Sequence, residues 1–126
     1  MNPKLPDTLA PQPLSHARSL DAAFYVGEGM VARDREAVFA RSWQLVGHET
    51  ALANAGDHLV TDVGGIPVVV IRDTEGRLRA FHNVCRHRAG PLVQGAAGHC
   101  DGELVCAYHG WRYALDGRLR AATGFG

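Results

Sequence analysis

The chain has 126 residues, of which 46% are hydrophobic and 21% charged, and its 13 Lys and Arg balance 13 Asp and Glu. That length and mix suit one modest globular domain, and the even charge argues against a nucleic-acid binder or a polybasic membrane-surface protein. The longest near-continuous apolar run, Ile66 to Ile71, is far short of a membrane span.

Four of the six prolines lie in the first thirteen residues. Proline lacks a donor N–H and resists helix and sheet interiors. Residues 1–14 therefore read as loose and extended, and an arm is expected over residues 1–33. The opening MNPKLPDTLAPQPL has no apolar stretch of the kind a secretory leader carries. Asp34 to Gln44 reads as a helix, with Val38, Phe39 and Trp43 near helical spacing. Asp34 is its expected N-cap and Gly47 its stop, giving an entry segment over residues 34–47.

From there the pattern turns to short strands. Leu59–Val63 and Ile66–Arg72 are β-branched runs split by Gly64-Gly65, a hairpin signal. Asp73-Thr74-Glu75-Gly76 is a second turn, and Leu78–Val84 a third strand. Leu104–Cys106, Arg112–Leu115 and Leu119–Ala121 complete the set, the last two joined at Asp116-Gly117. The expected fold is mainly β: a small antiparallel sandwich or barrel over residues 48–126.

Three cysteines cannot make a full disulfide framework, so reduced thiols and a cytoplasmic location are expected. Two segments pair Cys with His: Cys85-Arg86-His87 and Cys106-Ala107-Tyr108-His109, with eighteen residues between His87 and Cys106. Each follows an expected strand and runs into a glycine. Two such loops can present two thiolates and two imidazoles to one point. A structural Zn site is one reading. Zn fingers, however, pair like ligands, as C-x₂₋₄-C and H-x₃₋₅-H, whereas each loop here carries one of each. That suits a two-iron unit in which one iron takes both Cys and the other both His, the Rieske form of a [2Fe–2S] cluster.

FHNVCRHRAGPL followed by CAYHGWRYALDGRL resembles the Rieske domain of ring-hydroxylating oxygenase large subunits, over roughly Asp34 to the end. The resemblance implies that Cys85 and Cys106 bind the inner iron, and His87 and His109 the outer one. Gly90 and Gly110 are expected to let the backbone approach the cluster with unusual φ values, and N–H groups of the turns to stabilise the sulfurs. Pro91 stiffens the first loop, and Trp111 is expected to pack over the second. Arg86 and Arg88 either offset cluster charge or meet a partner, or are solvated surface charges. Cys100, beside His99, is either an alternative ligand or a free thiol; the resemblance assigns it no role, and it is expected to be a free thiol. High-potential relatives in respiratory complexes carry a disulfide where this chain has Gly90 and Tyr108, and a Ser where it has Trp111. The implied potential therefore lies toward the low end of the Rieske range of about −150 to +300 mV.

The resemblance further implies an electron-transfer domain fed by a reductase or ferredoxin. It would serve a mononuclear Fe(II) site in a catalytic domain of the same or a neighbouring subunit, within a homo-oligomer, a trimer. The related D-x₂-H-x₄-H pattern is not met: His82 and His87 have the x₄ spacing, but residue 79 is Arg. The 126 residues alone are thus expected to be inactive as an oxygenase. A stand-alone Rieske ferredoxin is the alternative. The long segment before the first strand favours the oxygenase, and further closing strands are expected beyond Gly126. Without them, apolar surface around Val68, Val70 and Ile71 would be exposed.

Overall fold

The structure, a computed structural model, describes residues 11–124. The chain divides after Arg41 into two compact units. In the first, a 3₁₀ turn at Leu14–His16 precedes helices α1 (Ala23–Val26) and α2 (Met30–Ala37), and a second 3₁₀ turn follows at Phe39–Arg41. The expected arm is therefore interrupted by short helices from residue 14 onward; its first ten residues lie outside the described part. The helix expected from Asp34 begins four residues earlier and stops at Ala37. Asp34 sits inside it, and Gly29, in the left-handed region at φ 80°, holds the N-cap position. No residue of α2 is buried, so an apolar stripe does not place this helix. Reading one from Val38, Phe39 and Trp43 shifted its expected position toward the C-terminus.

The second unit is the expected antiparallel β fold. Strands β1 (Asp57–Val63), β2 (Ile66–Arg72), β3 (Leu78–His82) and β4 (Ala97–His99) form one sheet in the order β3-β2-β1-β4. Strands β5 (Glu103–Val105), β6 (Arg112–Ala114) and β7 (Leu119–Ala121) form another in the order β5-β6-β7. The first hairpin pairs Val63 with Ile66 across Gly64-Gly65, whose φ values are 61° and 90°. Both central residues of such a two-residue turn need positive φ, which glycine supplies without steric strain. Strand β4 was not expected: Ala97-Gly98-His99 has no β-branched residue, and only its pairing with Asp57–Leu59 of β1 makes it a strand.

β2 is covered on both faces. Val69, Val70 and Ile71 are all buried, which corrects the expectation of exposed apolar surface at Val70 and Ile71. On one face, Leu52 of the 3₁₀ turn at Glu49–Leu52 lies near Leu59 and Val70. The guanidinium of Arg72 donates to the Leu52 carbonyl and ties that turn down. On the other face, Ile71 joins the main core with Cys85, Leu92, Leu104, Cys106, Tyr113 and Leu115. Two of these seven are the cysteines of the Cys/His loops, so the site is built into the core. At the turn after β2, the buried Asp73 carboxylate accepts from the backbone N–H groups of Glu75 and Arg77, both at 2.9 Å, and from the guanidiniums of Arg77 and Arg79. Burial alone would raise its pKa. These donors outweigh it and hold the carboxyl far below the usual carboxylate range.

Candidate iron–sulfur site

The two Cys/His loops come from different sheets: the first follows β3, and the second joins β5 to β6. They share one backbone plan. In the first, Cys85 N–H donates to the Gly90 carbonyl at 2.7 Å and Ala89 N–H to the Cys85 carbonyl at 3.0 Å. In the second, Cys106 N–H donates to the Trp111 carbonyl at 2.9 Å and Gly110 N–H to the Cys106 carbonyl at 2.8 Å. Each loop thus closes between its Cys and the residue five places on. The fourth place takes left-handed backbone in both, Gly110 at φ 70° and Ala89 at φ 55°. Gly110 fills the conformational role expected of it. Gly90 does not, because the left-handed residue of its loop is Ala89, the only described non-glycine residue with positive φ. Nor does space demand glycine at 90: a Cβ there would lie in ordinary contact, 3.7 Å from the ring of Tyr108.

This plan sets the predicted donors in two pairs, thiol with thiol and imidazole with imidazole. Cys85 and Cys106 are each 2% exposed and belong to one buried core cluster, and the Cys106 thiol helps to lower the Cys85 pKa. The imidazoles of His87 and His109 meet edge to face, with ring centroids 4.6 Å apart. His109 is exposed and His87 half-buried. The thiols therefore lie in the core, and the imidazoles closer to the surface. Among the described residues, no three His, Cys, Asp or Glu side chains converge as a single-ion site would need. The four donors fall instead into a sulfur pair and a nitrogen pair, the division that a mixed-ligand two-iron cluster uses.

The surroundings suit anionic sulfur and neutral imidazole. Burial alone would push the Cys85 thiol up. The Tyr113 hydroxyl, the backbone N–H groups of His87 and Arg88 and the Cys106 thiol outweigh it and draw the pKa below the ordinary value. The N–H groups expected to cradle sulfur are thus present in the first loop. Burial, with the nearby His109 and Arg88, lowers the pKa of His87 and favours the neutral, lone-pair-bearing ring. Tyr113, on β6, stands 3.3 Å from the Cys85 sulfur and accepts the Arg86 N–H at 3.2 Å. Toward a thiolate, which has no hydrogen to give, the hydroxyl is the donor.

Sequence reasoning passed over Tyr113 as a site residue. The available signal was its place two residues beyond Trp111, on the inward face of a strand. Asn83 was missed as well. Its side chain donates to the Val93 carbonyl and accepts the Val93 N–H, both at 2.9 Å, and so closes the base of the first loop. Arg86, Arg88 and Pro91 are exposed. Trp111 packs on the ring of His87 in the first loop, with centroids 4.9 Å apart and planes 6° from parallel. Tyr108 tilts against His109 at 3.9 Å. Cys100 is a free, half-buried thiol beside His58, at 3.5 Å, and burial raises its pKa.

Two short loops that offer two buried thiols and two imidazoles define a class: a carrier for a binuclear iron–sulfur cluster with mixed ligands. The family model for the Rieske [2Fe-2S] domain matches residues 42–125, and the chain belongs to that family. The match begins where the second compact unit begins. The chain is 40% identical over 104 residues to the benzene 1,2-dioxygenase subunit alpha of Pseudomonas putida, covering 82% of this chain and 23% of that one. It is 37% identical over 118 residues to the carnitine monooxygenase oxygenase subunit of Escherichia coli, covering 94% and 31%. Among solved structures, an apo quaternary ammonium Rieske monooxygenase superposes with a TM-score of 0.79 at 36% identity, covering 84% of this chain and 31% of that one. A naphthalene 1,2-dioxygenase bound to phenanthrene gives 0.79 at 32% identity, covering 86% and 24%. The chain thus spans about a quarter to a third of the length of these curated relatives. Family membership implies a [2Fe–2S] cluster. No described helix is long and apolar enough to cross a membrane.

Proposed function

We propose that this chain is the electron-transfer part of a Rieske oxygenase large subunit acting on an aromatic ring or a quaternary amine. Cys85 and Cys106 hold the inner iron of the cluster, and His87 and His109 the outer one. The observation that carries this reading is the pairing of two buried thiols with two imidazoles that meet edge to face, across loops of one backbone plan. When bound, the cluster supplies a one-electron redox centre. The chain's own residues do the rest. The core excludes water from the thiols, Tyr113 and the loop N–H groups stabilise the sulfur charge, and the exposed His109 leaves an imidazole edge open to a partner.

The donor is a reductase or ferredoxin. The acceptor is a mononuclear iron held by a catalytic domain outside these 126 residues, in the same or a neighbouring subunit of a homotrimer. A cytoplasmic location fits the three free thiols.

The test is anaerobic reconstitution with iron and sulfide. The expected product is red-brown, holds about two irons per chain as a [2Fe–2S] cluster requires, and gives a rhombic EPR signal when reduced. Replacing Cys85, His87, Cys106 or His109 abolishes or converts that signal, while Cys100→Ser leaves it intact. The chain alone, supplied with reductase, NADH and oxygen, is expected to hydroxylate nothing. A colourless protein with one Zn per chain would overturn the reading.

A further inference from the structure

The common plan of the two loops shows where they differ. Gly90 and Trp111 hold the same place, the carbonyl of each accepting the N–H of its loop's cysteine. One has no side chain and the other has the largest. Trp111 lies flat on His87, 4.9 Å away and 6° from parallel, and Gly90 can offer no counterpart to His109. Of the two imidazoles, only His87 has a parallel aromatic face against it among the described contacts; His109 meets the tilted, 62% exposed Tyr108 at 37°. The indole is itself fixed, since its backbone closes the second loop and its ring packs against the core.

We propose that Trp111 is a positioning residue for the cluster. Stacked on His87, it fixes the rotation of that imidazole about its bond to iron, and it holds the cluster at a lower potential than the ligands alone would set. This rests on the ligand assignment above. Two physical effects act in the same direction. A cluster with two thiolates and two neutral imidazoles is formally neutral when oxidised and carries one negative charge when reduced. Excluding water from one face of His87 disfavours the charged, reduced state. The electron-rich face of the indole favours positive charge on the imidazole and its iron, and so favours the oxidised state. Ring rotation matters because ligand orientation tunes a metal's electronic structure.

The test compares the reconstituted wild-type chain with Trp111→Leu and Trp111→Phe by redox titration and by EPR of the reduced state. Trp111→Leu is expected to raise the midpoint potential and broaden the g features, as the freed imidazole samples several rotations. Trp111→Phe keeps a flat but smaller face and is expected to fall between Leu and wild type in both readouts. A role confined to stability would lower the melting temperature and leave both unchanged. If Trp111→Leu fails to hold a cluster, Trp111→Phe decides alone: a wild-type potential and line shape would overturn the inference. A wild-type chain with no mixed-ligand signal would overturn the ligand assignment, and the inference with it.

Discussion

At Ala89 the chain places a Cβ in left-handed backbone, φ 55°, where the matching position of the second loop has glycine. Left-handed φ costs an L-residue about 1 kcal/mol or more. Glycine would remove that strain, and its extra freedom in the unfolded chain would return part of the gain. Ala89→Gly is therefore expected to stabilise the loaded protein by about 0.5 kcal/mol. Thermal melting checks this, and an unchanged or lower midpoint would mean that the loop relieves the strain elsewhere. The sequence could not reveal that Ala89 carries the special φ: next to Ala89, Gly90 is the natural candidate, and only the hydrogen-bond frame of the loop moves the role by one residue. The four candidate donors stand out in the sequence for the opposite reason. Cys and His are chemically distinctive, and their spacing survives any detail of backbone. Tyr113 does not stand out, because an inward-facing strand tyrosine reads as ordinary core until its hydroxyl is placed. The hydroxyl lies 3.3 Å from the Cys85 sulfur and would donate to it once that sulfur is a thiolate, and such bonds stabilise the more negative, reduced cluster. Tyr113→Phe is expected to lower the midpoint potential while keeping the cluster; redox titration that finds no change would remove Tyr113 from the tuning set.

Among the elements, hairpins were easy to read and lone strands were not. Gly64-Gly65 and Asp116-Gly117 specify their turns locally, whereas β4 exists only through its partner β1. That pairing carries a titratable clasp: His99 Nδ1 of β4 lies 2.8 Å from Asp57 of β1, and its Nε2 lies 3.5 Å from Asp101. Asp57 raises the imidazole pKa above its ordinary 6.5, against an opposing effect of burial, and Asp101 adds to the rise. A pKa raised by folding contributes stability that is fully present below the unfolded value and is lost as pH rises through the folded one. Melting temperature is thus expected to fall modestly as pH climbs above about 6.5. His99→Gln should flatten that slope, and a slope equal to wild type in the variant would assign the dependence to another group. The pair is half-exposed, so the effect should shrink with added salt.

Among the described residues, strand pairing stays within each sheet, and no ladder joins β1–β4 to β5–β7. The sheets meet through side chains: the seven-residue core cluster, and the β6–β7 turn, where Gly117 packs so close to the ring of Phe81 that a Cβ would lie 2.6 Å from it. Cys85 enters that core from the first sheet's loop and Cys106 from the second's. A cluster bound to both is a covalent clip between the sheets, and metal binding of this kind contributes directly to folding free energy. It also closes a long loop, whose closure entropy the bare chain must otherwise meet unaided. Removing the cluster leaves two thiols in the core and the strong sheet-to-sheet link gone. The two sheets should then lose stability unequally. β1–β3 keep long ladders, seven, seven and five residues, and the buried Val69–Ile71 run; β5–β7 have three residues each. Hydrogen exchange on cluster-free protein is expected to find the amides of β5–β7 close to unprotected while those of β1 and β2 stay protected. In the loaded protein both sheets should be protected together, with one cooperative melt at higher temperature. Equal protection of the two sheets without the cluster would mean that core packing alone joins them, and that the clip serves electron transfer without serving the fold.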